Sequence, residues 1–423
     1  MTNSTEPGLL DPAVQQCPFP FYAALRSDDP VFHDTRTGMW LVTRYDDVVE
    51  ACRQPDVFSN RFGTTSLPPD ADLAAALEGV QATGYPSPAT LLTADPPDHT
   101  RYRSLVNKAF TPKAVARLRP RMREIADGLI DTFAVTGHVE IVSQFGVGLP
   151  LIVIADSLGV PRADLVDFKR WSDNSVAAIG TDLTRERRLD AAGGVVEYQH
   201  YFAGRIASRR QALESGGDLP DDILTALIRA RLDGPAGEPA AMLSVPEMLS
   251  ILQQLLVAGN ETTTKLIAEA VLLVCRHPDV LDAVRAEPAF AADVVEEALR
   301  LSTPTQAMFR IATVDTQLSG VAIPAGARVL LVYASANRDE LRFAAPDSFD
   351  PGRDNLKQHL AFGSGIHFCL GAPLARAEGQ VALEALTERL SGLRLAASNT
   401  FEVDPSFMLR GLRALHLDFE PVR

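Results

Sequence analysis

One cysteine of this 423-residue chain stands in a setting that favours chemistry. Cys369 lies within AFGSGIHFCLGAPL, residues 361–374, with glycines on both sides and Pro373 at the start of a helical pattern. Glycine allows backbone conformations and close approaches that other residues forbid, so the segment predicts a tight turn before a helix N-terminus. Amide donors and the helix dipole there favour a thiolate, the form of cysteine that binds metal ions. Cys369 is therefore a candidate metal ligand.

Other uses of cysteine fit the sequence less well. No C-x-x-C pair occurs, which argues against zinc ribbons, thioredoxin motifs and cysteine-ligated iron–sulfur clusters. Ser364 has no glycine two residues before it, so a hydrolase nucleophile elbow does not fit. Residues two apart rarely pair as nucleophile and base, which disfavours a cysteine protease built on Cys369 and His367. The remaining cysteines are interpreted as structural: Cys17, Cys52 and Cys275.

The clearest element that could position a site is a long helix beginning at Ser244. Ser244-Val-Pro-Glu247 has the pattern of a capping box, and helix-compatible sequence continues to Cys275, before His277-Pro278. About 30 residues at about 1.5 Å each give a rod of about 45 Å, long enough to cross a domain. The helix is apolar on all sides, so we expect it to be buried.

The rest of the pattern predicts a mainly α protein with small β-sheets, in a single large domain over 1–423 with a flexible N-terminus over 1–12. Residues 40–42 and 309–334 indicate short strands. The stretches 59–90 and 214–241 are rich in turn residues and are interpreted as loops within that domain. Helical patterns occupy residues 45–52, 99–132, 152–178, 189–213, 279–286, 288–301 and 373–391.

Composition limits the function classes. Apolar residues make up 46% and charged residues 22%, which is normal for a globular protein and excludes a disordered chain. Lys and Arg number 40 against 54 Asp and Glu, a formal charge of −14, which argues against a general nucleic-acid binder. No apolar run is long enough to span a membrane, and no signal pattern opens the chain. These features predict a cytoplasmic protein.

The cysteine segment also carries a pattern, F-x-x-G-x-H-x-C-x-G, which resembles the haem-binding signature of the cytochrome P450 family. The resemblance implies the P450 fold, a haem b cofactor and Cys369 as the proximal ligand of its iron. A thiolate ligand pushes electron density onto iron and favours O–O cleavage. It further implies that Phe362 packs near the sulfur and that Gly371 helps the loop to lie flat beneath the porphyrin.

Within the long helix, Ala258-Gly259-Asn260-Glu261-Thr262-Thr263 resembles the oxygen-activating motif of the same family. Ala258 and Gly259 would leave space for dioxygen above the haem, while Glu261 and Thr262 would deliver protons to it. Taken alone, the segment could be a tolerated irregularity, because glycine and threonine weaken helical propensity.

Two further groups of charged residues match family positions. Glu297 and Arg300 share a helix face and, with Arg353 of the Phe349–Arg353 segment, resemble a buried structural cluster; the alternative is a surface ion pair worth under about 1 kcal/mol. His99 and Arg103 also share a face, and two cationic groups there favour an anion. With Arg310 and His367, the resemblance implies that they bind haem propionates.

Candidate substrate residues are Gln254, Val257, Ala258 and Gln306. Gln254 lies about one turn from Ala258 within an apolar stretch, so its amide needs a partner. That partner could be a backbone group, a water molecule or an oxygen on the substrate. The last possibility predicts an apolar substrate with one polar group, such as a terpenoid, steroid or fatty acid.

The expected activity is a monooxygenase acting on a small apolar substrate with dioxygen. No flavin, nicotinamide or iron–sulfur motif is present, so electrons should come from a ferredoxin or flavodoxin with its reductase, delivered to a monomer. Residues 99–123 hold eight Arg or Lys and no acid, which predicts a docking surface for an acidic partner, although an ordinary solvated helix is an alternative. Two further alternatives are a peroxide-driven peroxygenase and a non-catalytic haem-binding sensor. The Glu261–Thr262 pair argues against both.

Overall fold

The computed structural model describes residues 7–62, 69–181, 183–232 and 241–422. The described chain is mainly helical, which confirms the predicted fold class. Its α-helices are α1 (Pro12–Gln16), α2 (Phe19–Asp28), α3 (Tyr45–Cys52), α4 (Ala71–Gln81), α5 (Asp98–Val106), α6 (Pro112–Asp131), α7 (Gly148–Leu158), α8 (Leu165–Val176), α9 (Arg185–Glu214), α10 (Ile223–Arg229), α11 (Val245–Arg276), α12 (Pro278–Ala286), α13 (Ala291–Ser302), α14 (Tyr333–Ala336) and α15 (Ala372–Arg389).

The strands are short. They are β1 (Val31–Asp34), β2 (Met39–Val42), β3 (Phe58–Ser59), β4 (His138–Glu140), β5 (Arg231–Leu232), β6 (Ala241–Met242), β7 (Met308–Ala312), β8 (Thr316–Leu318), β9 (Val321–Ile323), β10 (Arg328–Leu331), β11 (Arg394–Leu395) and β12 (His416–Asp418). The largest sheet has the order β1-β2-β10-β7-β3, in which only the β2–β10 pair is parallel. A second sheet has the order β11-β12-β4, and two hairpin pairs join β5 with β6 and β8 with β9.

The chain divides into two compact units. The first comprises residues 1–62, 118–149 and 262–423, and the second comprises 63–117 and 150–261. The first unit contains the five-stranded sheet, whose side chains Val42, Val329 and Leu331 are fully buried. In the second unit, α8 and α9 pack through aromatic rings: Phe168, Trp171, Tyr198 and Phe202 are buried. No described helix has the length and apolar character that a membrane crossing requires.

Helix α11 begins as the sequence indicates. The Ser244 N–H donates to the Glu247 carboxylate at 2.7 Å, and the Glu247 N–H donates to the Ser244 hydroxyl at 3.3 Å. This reciprocal pair is the expected capping box. The helix then continues without a break to Arg276, so Gly259 and the following threonines are accommodated within regular structure.

Both predicted loops contain helices. Helix α4 lies within 59–90, where the Asp70 carboxylate accepts the Leu73 N–H at 2.8 Å. Helix α10 lies within 214–241, and Asp222 caps it by accepting the Thr225 N–H at 2.9 Å. Surrounding Gly and Pro residues obscured these short helices in the sequence. In each case one capping side chain stabilises the start of the helix despite that composition. Of the expected flexible N-terminus, residues 1–6 lie outside the described ranges, whereas Leu9 is buried.

Candidate active site

The loop before α15 presents Cys369 on a fixed backbone. The Cys369 N–H donates to the Phe362 carbonyl at 2.9 Å, and the Gly363 N–H donates to the Leu360 carbonyl at 2.9 Å. Gly371 occupies the N-cap position of α15, so Cys369 stands two residues before the positive end of an 18-residue helix. This confirms the predicted turn and gives a thiolate a favourable electrostatic setting.

Two glycines of this loop require the left-handed backbone region: φ is +68° at Gly363 and +71° at Gly365. A Cβ atom at Gly365 would lie 2.3 Å from the Cys52 carbonyl oxygen, which is a fixed backbone atom. A Cβ atom at Gly371 would lie 3.9 Å from the Cys369 Sγ, an ordinary van der Waals contact. A substitution at Gly365 would therefore displace the loop that carries the sulfur.

A buried charge cluster stabilises the segments next to this loop. The Arg300 guanidinium donates to both Glu297 oxygens at 2.7 Å, with both side chains fully buried. It also donates to the carbonyls of Asn337 and Ser348, while Arg353 Nε contacts Glu297 Oε1 at 3.4 Å. This confirms the predicted structural cluster and excludes the alternative of a surface ion pair. These residues act on the fold, because their charges and donors are used within the protein.

Arg310 is a buried cation beside the same loop. It lies on β7 with 3% exposure, its Nη1 donates to the Phe309 carbonyl at 2.7 Å, and no carboxylate of the described residues forms an ion pair with it. The Cys52 thiol contacts both Arg310 and the Ser364 backbone, and burial raises the pKa of that thiol against the opposing charge of Arg310. A buried arginine without a carboxylate requires an anion, and a propionate fits this need.

Two of the remaining candidate propionate ligands belong to the second unit and lie one turn apart on α5. His99 is buried and Arg103 is half-buried. Burial lowers the pKa of His99, the Arg103 charge lowers it further, and Asp95 opposes both effects. His367, the fourth candidate, lies in a short 3₁₀ turn over Gly365–His367, two residues before Cys369.

Residues 257–262 occupy the middle of α11. Ala258 is exposed, whereas Leu255 and Leu256 on the preceding turn are buried, so the helix faces an open space at Ala258. A Cβ atom at Gly259 would lie 3.2 Å from Ile154, which explains a small residue there. Val257 is partly exposed.

Neighbouring polar residues of α11 separate into different roles. Glu261 and Thr262 are consecutive and partly exposed. Asn260 Nδ2 donates to the Ser172 hydroxyl at 3.1 Å, and the Thr264 hydroxyl donates to the Gly146 carbonyl at 3.0 Å. Asn260 and Thr264 therefore fix the helix within its surroundings.

The structure corrects the prediction that Gln254 offers its amide to a substrate. Gln254 Oε1 accepts the Leu92 N–H at 2.8 Å, and Nε2 donates to the Thr90 hydroxyl at 2.8 Å and the Ser250 hydroxyl at 3.3 Å. The amide of Gln254 therefore has a backbone group among its partners, as one of the alternatives considered above proposed. Through these bonds Gln254 anchors the segment before α5.

Gln306 is bonded within the protein through its amide nitrogen alone. Its Nε2 donates to the carbonyls of Ser302 at 2.9 Å and Thr303 at 2.5 Å, with 1% of the residue exposed. The cavity beside it measures about 10 Å³, room for one water molecule, and is lined by Tyr22 and Arg410 among others. The buried Gln306 Oε1 has no hydrogen-bond partner among the described residues, so a role toward a substrate stays a prediction.

Sequence reasoning missed four charged or titratable side chains near the loop. Glu296, His359 and Arg376 form a second buried cluster, described below. The position of Glu296 directly before Glu297 was the available signal. Glu378 on α15 was also missed, and burial raises its pKa to about 8, with a smaller opposing effect of Thr263.

A mainly helical fold with a cysteine on a glycine-framed loop and a buried arginine requiring an anion defines a haem-thiolate class of protein. Comparison with known proteins supports this class. The family model for cytochrome P450 matches residues 193–394. A putative cytochrome P450, YjiB of Bacillus subtilis, is 36% identical over 404 residues, covering 94% of this chain and 93% of the relative.

Two further relatives carry names that describe what they act on or bind. The vitamin D(3) 25-hydroxylase of Pseudonocardia autotrophica is 35% identical over 424 residues, with 99% of this chain and 98% of the relative covered. The solved structure of CYP109E1 from Bacillus megaterium in complex with testosterone is 32% identical, with a TM-score of 0.81 and coverage of 96% and 98%. The chain belongs to the cytochrome P450 family. It is an oxidoreductase of the P450 monooxygenase type, and haem is the cofactor of this family.

Proposed function

We propose that this protein inserts one oxygen atom of dioxygen into a C–H bond of an apolar small molecule. The observation that carries the proposal is Cys369, held on a glycine-framed loop two residues before the N-cap of α15. Haem b, ligated through this thiolate, would supply the chemistry of oxygen activation. Arg310, with His99, Arg103 and His367, would hold its propionates.

The proton-delivering residues are Glu261 and Thr262. Their partial exposure in the middle of α11 allows exchange of protons with water. A carboxyl group beside a hydroxyl group supports general acid chemistry at dioxygen. This assignment leaves Thr262 as the alcohol of the pair.

The substrate class is a steroid or terpenoid rather than a fatty acid. Val257 and Ala258 offer apolar side chains, and both amide atoms of Gln254, which could have recognised a polar group, are bonded within the protein. Two relatives support this class, since one is named a vitamin D(3) 25-hydroxylase and another is solved with testosterone, whereas P450BioI, 31% identical, is solved with a hexadecenoic acid carried by an acyl carrier protein. Apolar contact with a rigid polycyclic body would supply the binding energy.

Electrons come from a separate ferredoxin- or flavodoxin-type carrier. Only part of the basic charge over 99–123 is available to an acidic partner. Four of its arginines already form ion pairs with acids: Arg101, Arg119, Arg121 and Arg123. Lys108, Lys113 and Arg117 remain exposed and have no carboxylate partner among the described residues. Ile366 and Phe368 add 39% and 41% exposed apolar side chains to the Cys369 loop.

One experiment tests the activity and its oxygen source together. Purified protein, with a ferredoxin, its reductase and ¹⁸O-labelled dioxygen, should convert testosterone or another steroid that shifts the haem spectrum into a product carrying one ¹⁸O atom. Cys369→His should lose both this product and the red-shifted Soret band of the ferrous carbon monoxide complex. Equal turnover with peroxide alone would instead support a peroxygenase, and a spectral response without any product would support a sensor.

The contribution of Thr262 has its own measurement. Thr262→Ala should bind substrate normally but divert reducing equivalents to peroxide or water, whereas Thr264→Ala, its neighbour bonded to Gly146, should affect stability and leave coupling unchanged. Unchanged product per electron pair in Thr262→Ala would assign proton delivery to another group.

A further inference from the structure

A second buried cluster lies beside the Cys369 loop, separate from the one around Glu297. Glu296 on α13 accepts hydrogen bonds from His359 Nε2 at 3.0 Å and from Arg376 Nη2 at 2.9 Å, and Arg376 Nε also contacts its second oxygen. The side chains of Glu296 and His359 are 5% and 1% exposed, and that of Arg376 is 27% exposed. All three residues belong to the first unit.

The backbone fixes the protonation state of His359. The Ala361 N–H donates to His359 Nδ1 at 3.2 Å, so Nδ1 is an acceptor and the ring proton resides on Nε2, facing Glu296. His359 is therefore neutral in this arrangement. Burial raises the pKa of Glu296, but hydrogen bonds from His359 and Arg376 outweigh it and lower that pKa to about 2. The cluster thus contains one negative and one positive charge, which cancel.

This neutral cluster contacts two consecutive residues at the beginning of the loop. His359 binds Ala361 at the beginning of the loop, and the Arg376 guanidinium carbon lies 4.6 Å from the centre of the Phe362 ring. The Phe362 carbonyl in turn accepts the Cys369 N–H. Arg376 is therefore separated from Cys369 by one residue in contact with both.

We propose that Glu296, His359 and Arg376 are positioning residues that set the reduction potential of the cysteine-ligated cofactor through a balanced pair of charges next to its ligand. Reduction adds one electron to the site, so a nearby positive charge favours it and a negative charge opposes it. The pair leaves the field near zero only while both partners are present. This inference rests on the proposed function, since it requires Cys369 to be the ligand.

The test is a spectroelectrochemical titration of the haem-loaded protein. Arg376→Met leaves the Glu296 charge unbalanced, so the ferrous-to-ferric ratio at a fixed applied potential should fall about tenfold. Glu296→Gln leaves Arg376 unbalanced, so the ratio should rise by a similar factor. The neutral double variant should return close to the wild type, and Arg376→Lys, which retains the charge, should change the ratio much less than Arg376→Met.

A matched control is the buried ion pair Arg209–Asp222 in the second unit, whose side chains are 10% and 6% exposed. Arg209→Met and Asp222→Asn should lower stability and leave the potential unchanged. Shifts of the same sign in Arg376→Met and Glu296→Gln, or no shift in either, would overturn the proposal.

Failure of the charge balance can be distinguished from failure of Cys369 as the ligand, even if one variant binds haem poorly. Should Arg376→Met lose its cofactor, comparison of Glu296→Gln with the double variant applies the same test, because only the single variant carries an unbalanced charge. A wild-type protein without the red-shifted carbon monoxide band would refute Cys369 as the ligand. Retention of that band with same-sign shifts would refute the charge balance alone.

Discussion

The loop that carries Cys369 and the 69–93 segment of the second unit are held by different kinds of contact. The loop depends on backbone geometry: left-handed glycines at 363 and 365 and the bond from Cys369 to the Phe362 carbonyl. The 69–93 segment depends on side-chain amides, because Gln254 binds Leu92 and Gln199 binds both backbone groups of Tyr85. The Cys369 loop is therefore set by its backbone, whereas the 69–93 segment is held through side chains.

The largest expected effect comes from breaking the backbone contact of the loop. Gly365→Ala should abolish the thiolate carbon monoxide band and most haem retention, because φ is +71° and the new Cβ would lie 2.3 Å from a carbonyl oxygen. Gly326→Ala is the matched control: φ is +81°, but no heavy atom lies within 4 Å. It should cost about 1–2 kcal/mol and keep the band. A normal band in Gly365→Ala would show that the loop tolerates movement.

The next largest effect is expected on stability, at the buried carboxyl group of Glu378 in the helix that follows Cys369. Glu378 is fully buried, its oxygens have no hydrogen bond of normal geometry among the described residues, and burial raises its pKa from 4.5 to about 8. Between these values the unfolded chain releases a proton that the folded chain retains, so stability falls as pH rises through this window. As pH rises through this window, the free energy of unfolding should therefore fall less in Glu378→Gln than in the wild type, by up to about 1.4 kcal/mol per pH unit.

Urea unfolding at pH 5, 6, 7 and 8 measures that difference between wild type and Glu378→Gln. Glu388→Gln, on the exposed surface of the same helix, is the control and should show no pH-dependent gain. A constant difference across the series would mean that Glu378 is ionised in the folded protein and has an additional partner.

A smaller effect is expected in the 69–93 segment. Gln254→Leu removes the partner of the Leu92 N–H and two hydroxyl contacts, at a cost of about 1 kcal/mol because part of this site is exposed. Hydrogen exchange at Leu92 should accelerate, while the carbon monoxide band stays normal. Gln253→Leu, which loses only a contact with Ser175, should leave exchange at Leu92 unchanged. Faster exchange in both variants would indicate a general loosening of α11.

The same contrast explains how much the sequence could predict. Glycine spacing around Cys369 and the Ser244 capping box express backbone requirements, and both were confirmed because few other residue types satisfy them. Helix α4 was not foreseen, because the surrounding Gly and Pro residues obscured it. A backbone partner of Gln254 was considered, but not Leu92 in particular, because a glutamine shows no preference for a particular distant backbone group. Glu296 was missed for a similar reason: its partners, His359 and Arg376, are 63 and 80 residues away.

The smallest effect is expected where a similar close contact meets a movable atom. A Cβ at Gly84 would lie 2.2 Å from Gln199 Oε1, nearly the same distance as at Gly365, but the neighbour is the end of a flexible side chain. Gly84→Ala should shift the Gln199 amide and weaken its bond to the Tyr85 N–H, a loss of about 1 kcal/mol. Restricting the unfolded chain returns about 0.4–1 kcal/mol, so the unfolding midpoint should barely change. Hydrogen exchange at Tyr85 should nevertheless accelerate, and the carbon monoxide band should stay normal. A loss of stability as large as that of Gly365→Ala would show that the amide cannot move, and that the 69–93 segment is as rigid as the Cys369 loop.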